Sequence, residues 1–330
     1  MFTLKNDQLE LAFPELHRDA RLVIEFQRTL RIPDDNRAYP LPPGLGQFPM
    51  RHVDDYAAKV PSKWREHGGV FLPMYQAEAL WISFRSAQGY PFAVKIAAGK
   101  MNAVSGTSWT NDLDFGDQDY VVVPDQPWLD GFCVSKGKIR QFVAMPLGAG
   151  YTVEEQLTGE AEHGGIQIIA YPLKPERYDP PPSREGLMLM EYAEHSVYCA
   201  SAPPEMGLAP GGVMEQHIYE DEHRHDDWRT DVHARCFVHL LNSAQYHYVT
   251  GEAPPTQPPT AKHYTDAGLP WFEYYKDAAA LDGGVPLKVI DSVAALGIKK
   301  GESPLLDNSP VAPANVRKLG ATNIVRDGEF

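Results

Sequence analysis

The sequence predicts an α+β protein with a β-sandwich or jelly-roll-like core, C-terminal helices and extended arms. Three observations carry this. Apolar residues up to about position 220 recur mainly at every second position, the period of a half-buried strand. The 29 prolines and 27 glycines among 330 residues cut the chain into short elements and leave little room for long helices. The clearest helical spacing comes only after Asp231. The predicted organisation is a β-rich core over 1–230, a helical region packed on it over 231–301, and an extended tail over 302–330.

Leu9, Leu11 and Phe13 alternate, and Leu22, Ile24, Phe26, Leu30 and Ile32 share one parity, so two strands open the chain. Pro33-Asp34-Asp35-Asn36 is a turn. Residues 39–49 (YPLPPGLGQFP) are extended, as a surface loop or as a ligand for an aromatic groove. Asp54 or Asp55 caps a short helix, and Pro61 opens another that Gly68-Gly69 ends. Residues 74–84 show no clean period. Phe92, Val94 and Ile96 alternate, and Ala98-Gly99-Lys100 turns them into a second strand. Tyr120 to Val123 is a short buried strand.

Residues 131–173 hold the strongest local signals. Lys136-Gly137, flanked by apolar residues, marks a hairpin leading into a strand from Ile139 to Met145. Thr152-Val153-Glu154-Glu155 fits a capping box, with Gly159 as the left-handed stop. Ile166 to Tyr171 resumes a strand. Residues 178–186 (YDPPPSREG) are linker-like, with strands expected at 187–192 and 196–200. Asp231 is set to cap a helix over 232–249, with Phe237, Leu240, Leu241, Ala244 and Tyr248 as its stripe and Gly251 as its end. A last helix is expected over 287–296, stopped by Gly297.

Acidic residues outnumber basic ones by 44 to 30, a net charge of −14, and no basic cluster occurs. Phosphate binding needs clustered cations, so the sequence argues against nucleic acid and anionic membrane surfaces as partners. No apolar run approaches the roughly 18 residues of a spanning helix, and no membrane insertion is expected. The opening MFTLKNDQLELAF lacks the order of a signal peptide. Cys133, Cys199 and Cys236 suit reduced thiols, and the expected setting is a soluble, cytoplasmic protein. A proline-rich tail needs an anchor on its own core or on another subunit, which makes a homo-oligomer the expected assembly.

Two groups of residues can carry chemistry. In the first, Glu162 would orient His163 as a general base, with Glu154 or Glu155 as acid or metal ligand; the adjacent Gly164-Gly165 lets a ligand approach. The plainer reading is a polar turn. In the second, His217, His223 and His225 lie among carboxylates, and the H-x-H pair points two imidazoles one way on a strand, so a divalent metal such as zinc, iron or manganese is the cofactor they would take. The plainer reading is a charged loop. Cys236 lies one helical turn from His233 and His239, a Cys-His pattern that also suits simple packing. Phosphate-loop, G-x-S-x-G, C-x-x-C and H-E-x-x-H motifs are absent.

The segments PMYQAEALW (73–81), YVVVPDQPWLDGFCV (120–134), GYTVEEQLTGEAEHGGIQI (150–168) and PPTQPPTAKHYTDAGLPWFEYY (254–275) are distinctive, and through them most of the chain resembles a family of uncharacterised microbial proteins. Some of that family carry the label integral membrane protein, which the absence of a spanning segment contradicts. The resemblance implies no activity. The family pattern keeps the IYED and DDW parts of MEQHIYEDEHRHDDW but not its histidines, so Glu154, Glu155, Glu162 and His163 stay as the site candidates inside the resemblance. The expected function is a non-catalytic binding or self-assembling protein. The alternatives are a hydrolase or lyase built on Glu162-His163, or a metal-binding protein.

Overall fold

A computed structural model describes residues 1–179, 205–274, 276, 278–303, 305 and 308–319. The expected strands at 187–192 and 196–200, and most of the linker-like stretch before them, lie outside the described residues. The fold is α+β with a β-rich core.

The strands pair in two runs. The first follows the order Phe2–Lys5, Gln8–Ala12, Arg21–Thr29, Ala79–Ser86, Lys138–Pro146 and Glu205–Glu215, antiparallel throughout. The second places Phe92–Ala98 beside Ile166–Pro172, then Ala234–Asn242, then Val70–Met74, the last pair being parallel. The runs meet where Glu205 and Met206 pair with Leu241 and Leu240. Ile24, Phe26, Ile82 and Phe84 from the first run share one buried core with Val94, Ile96, Ile168 and Val238 from the second. This is sheet-on-sheet packing, with alternate residues of each strand turned inward.

Strands whose apolar residues keep one parity form where expected. Leu22, Ile24 and Phe26 are fully buried. The 134–139 hairpin forms, with Gly137 at φ +70°. Residues 74–84, which show no period, include the strand Ala79–Ser86, because it is paired on both edges and partly covered on both faces.

The helix expected over 232–249 is corrected. Ala234–Asn242 is a strand, and only Ser243–Thr250 is helical, capped by the Asn242 side chain, which accepts from Ala244 N. Ala234, Cys236, Val238 and Leu240 face the core while His239 and Leu241 are buried on the other face, so a doubly covered strand imitates a helical stripe. The second half of the chain is thus partly sheet. The last expected helix is also corrected. It is two short helices, Val285–Lys288 and Val293–Lys299, divided by the Ser292 cap, and Gly297 lies inside the second. The tail is anchored on its own chain, where Val316–Leu319 pairs in parallel with Trp271–Tyr274.

Two buried ion pairs fasten long excursions to the sheets. Lys95 is fully buried on the face of Phe92–Ala98 opposite the core. Its ammonium donates to Thr110 Oγ1 at 3.0 Å and the Asp112 carbonyl at 2.6 Å, and pairs with Asp119 at 2.5 Å, which ties down the 103–119 loop. Arg28 pairs with Glu78 at 2.7 Å and also binds the Thr256 carbonyl, fixing the proline-rich 254–259 stretch.

Candidate functional site

The capping box forms as its sequence requires. Thr152 Oγ1 accepts from Glu155 N at 3.2 Å, and the Glu155 carboxylate takes the amides of Gly150 at 2.7 Å and Thr152 at 3.0 Å. Those bonds commit Glu155 to holding the helix start, away from acid catalysis or metal ligation. Gly159 ends the helix at φ +76°.

The orienting carboxylate is a correction. Glu162 is exposed, and its backbone carbonyl accepts from Lys63 Nζ at 3.2 Å. Glu154 takes the role instead. It is buried, its Oε1 accepts from His163 Nδ1 at 2.9 Å, and its Oε2 accepts from the amides of His163 and Gly164, each at 3.3 Å. Adjacent residues point to opposite sides of an extended chain, so Glu162 and His163 diverge. The left-handed Gly164 and Gly165 carry His163 back over the helix that bears Glu154. Gly99, at φ +56°, closes the far side of this carboxylate; a methyl group there would sit 2.4 Å from Glu154 Oε2. The bond from Nδ1 leaves Nε2 as the basic nitrogen of a neutral His163.

His163 belongs to a stacked array that the sequence does not reveal. Helix Ser62–His67 ends at Gly68-Gly69, and a side chain at Gly69 would collide with the Phe237 carbonyl at 2.2 Å, so this turn lies directly on the strand Ala234–Asn242. His67 stacks on Phe237 at 4.8 Å and lies 6.2 Å from both His163 and His239. His239 stacks on Trp64 at 4.6 Å and donates through Nε2 to the Gly68 carbonyl at 3.0 Å. Burial pushes His239 down to about 4, against the Gly68 bond, with His67 adding to the effect. Burial, then the neighbouring His163, lowers His67 as well. His239 is therefore a neutral packing residue, where a helix would have faced it to solvent.

The other candidates do not converge. His217 lies against Tyr219, His223 meets Trp228 edge-on at 5.2 Å, and His225 packs 4.0 Å from Phe115. Among the described residues no group of three His, Cys, Asp or Glu side chains stands close enough to hold a metal ion. Asp221 accepts from Tyr120 and Trp228, holding this loop to the core. Cys236 faces inward while His239 faces the opposite side of the same strand. Burial pushes the Cys236 thiol up to about 12, far from a nucleophile's range.

A second feature comes from five distant parts of the chain. A cavity of about 180 Å³ is lined by Pro42, Pro43, Trp81, Trp128, Asp130 and Phe272, with Leu319 of the tail at its edge. The 39–49 segment does meet aromatic residues, but those of its own chain, through the bridge between Leu41 and Phe272. Trp81 and Trp128 meet at 72°, and Trp128 meets Tyr274 at 61°. Asp130 is 4% exposed; it accepts from Gln216 Nε2 at 2.7 Å and bonds with Trp128. Burial outweighs both bonds and pushes its carboxyl up to about 7. Of the lining residues, Trp81, Trp128, Asp130 and Phe272 fall in three of the four distinctive segments, 73–81, 120–134 and 254–275, whereas Pro42, Pro43 and Leu319 lie outside them. No family model, curated protein or solved structure matches the chain.

Proposed function

We propose that this chain is a small-molecule-binding protein and that the aromatic cavity is its ligand site. The observation that carries this is a buried carboxyl, Asp130, that has no ion-pair partner among the described residues and lies in the wall of an aromatic recess. A core built for stability alone gains nothing from an uncompensated carboxyl, whereas binding sites combine apolar walls with a few placed polar groups. The cavity is smaller than the roughly 300–1,000 Å³ of sites for large ligands, so it suits a head group or a small metabolite. A ligand at a hundredfold its Kd raises the unfolding free energy by about 2.7 kcal/mol, which a thermal-shift screen of small fragments detects. Trp128→Leu is expected to remove that stabilisation. A fragment set that never stabilises the protein, or that stabilises the variant equally, refutes the reading.

Self-association extends this reading, through Val285, Val289 and Ile298, each more than 70% exposed on the two C-terminal helices or just after the first of them; sedimentation of wild type against Val289→Asp decides it. The two buried thiols, Cys133 and Cys236, suit a reducing cytoplasm. Among the described residues no helix is long and apolar enough to cross a membrane.

A second, catalytic reading of hydrolase or lyase type rests on the geometry of His163, a partly exposed imidazole held by a buried carboxylate with Nε2 as base. An activity found in a substrate screen and abolished by His163→Ala would favour it; an activity untouched by that substitution would end it.

A further inference from the structure

We infer that the cavity recognises an organic cation, an alkylated ammonium head group enclosed by Trp81, Trp128 and Phe272 beside the Asp130 carboxylate. The inference rests on the cavity being the ligand site proposed above and names the chemistry it takes.

The arrangement of the rings is the first argument. Trp81 and Trp128, both in the cavity wall, meet at 72° with centroids 6.3 Å apart, and Phe272 adds a third ring to the lining. Steeply crossed rings form a box, and a box suits a compact, rounded group better than a flat sugar or nucleobase, which needs parallel platforms. The negative faces of indole and phenyl rings attract a cation within about 6 Å of the centroid.

Charge is the second argument. Among the described residues no lysine, arginine or histidine lines the cavity. Among the described residues none forms an ion pair with Asp130, and no charged group acts on its carboxyl. Gln216 and Trp128 contribute neutral donors, which orient the carboxylate without cancelling its charge. A monovalent cation is the missing counter-charge, and the net charge of −14 favours its approach over that of an anion.

Size is the third argument. A space of about 180 Å³ is below the roughly 300–1,000 Å³ of sites for drug-sized ligands and matches a compact group such as trimethylammonium. An alkylated ammonium sheds its water readily, whereas a divalent metal ion would need several oxygen ligands and Asp130 is the one carboxylate among the lining residues described.

The test is isothermal titration calorimetry on the full chain at pH 8, with choline, tetramethylammonium and dimethylbutanol, the uncharged carbon isostere of choline. Choline is expected to bind at least about tenfold tighter than the isostere, with tetramethylammonium close to choline. Asp130→Asn keeps the shape and a partner for Gln216. It is expected to lose about tenfold in choline affinity while leaving the isostere within about twofold. Phe272→Leu keeps apolar bulk without the ring and is expected to lose about fivefold for the cations. Equal binding of choline and its isostere, or choline affinity unchanged in Asp130→Asn, overturns the inference and leaves a site for neutral molecules. Binding of none of the three also overturns it, and the fragment screen then decides separately whether the cavity binds anything.

Discussion

His239→Gln isolates the energetics of the stacked array. In the folded chain His239 is pushed down to about 4, from an ordinary value of 6.5. As pH falls, the unfolded chain takes the proton first, so the stability linked to this residue is complete above 6.5 and drains away between 6.5 and 4. Across that window the loss approaches about 3 kcal/mol, at 1.36 kcal/mol per unit. At pH 5, relative to pH 8, it is about 2 kcal/mol, because the unfolded histidine is almost fully protonated there and the folded one only slightly. Gln preserves an N–H for the Gly68 carbonyl and cannot titrate. Losing the ring stacked on Trp64 costs stability at every pH, and that cost cancels when the pH profiles are compared. Denaturant unfolding at pH 5, 6, 7 and 8 should therefore show the wild type losing about 2 kcal/mol more than the variant between the extremes. His67, lowered by burial and by His163, steepens both profiles as well. Parallel profiles would refute the reasoning, because they would mean that His239 titrates in the folded state as it does in the unfolded chain.

Glu155→Ala removes the carboxylate that accepts from the Gly150 and Thr152 amides, while the Thr152 cap onto the backbone of residue 155 remains, and is expected to cost about 1 kcal/mol in urea unfolding, whereas Glu162→Ala should stay within about 0.5 kcal/mol. Lys95→Met strands the buried Asp119 carboxylate and is expected to cost about 3–5 kcal/mol, with much of it recovered when Asp119→Leu is added; a double variant no better than the single one would contradict this. Asp130→Asn should be more stable than wild type at alkaline pH. The acid's folded value is raised from 3.8 to about 7, so its favourable contribution is complete below 3.8 and is lost as pH rises to about 7, a change on the order of 4 kcal/mol. The gap between the two proteins should open over that window and then level.

Much of the sheet was legible because a single buried face leaves a period of two. Leu9, Leu11, Leu22, Ile24 and Phe26 show it, and all are buried. The capping box was legible because Thr152 and Glu155 are tied by local geometry alone. The strand Ala234–Asn242 was not, since apolar residues on both faces erase the alternation that marks a strand. Neither was the partner of His163. Sequence neighbourhood favoured Glu162, while the contact with Glu154 depends on a path folded through Gly159, Gly164 and Gly165, all in the left-handed region. Lys95 gave no sign of burial; its partners Thr110, Asp112 and Asp119 lie 15 to 24 residues away in sequence and reach it only when the loop folds over the sheet. The aromatic cavity draws on positions 42 to 319, and no local pattern joins them.

The energetics of Asp130 connect stability to the proposed function. Near neutral pH the folded protein bears the unfavourable charge of a carboxyl buried without a cation, although an asparagine would satisfy Gln216 at no such penalty. Lys95–Asp119 and Arg28–Glu78 show a cation placed beside two other buried carboxylates. Asp130 instead lies in the wall of a cavity lined by aromatic rings. A cationic ligand would supply there what Lys95 and Arg28 supply to Asp119 and Glu78. The free energy recovered by pairing Asp130 would then appear as affinity, so the same residue that lowers stability in the empty protein would make binding tighter as pH rises through about 7. A calorimetric affinity for choline that stays flat between pH 6 and 8 would break this link between the two measurements.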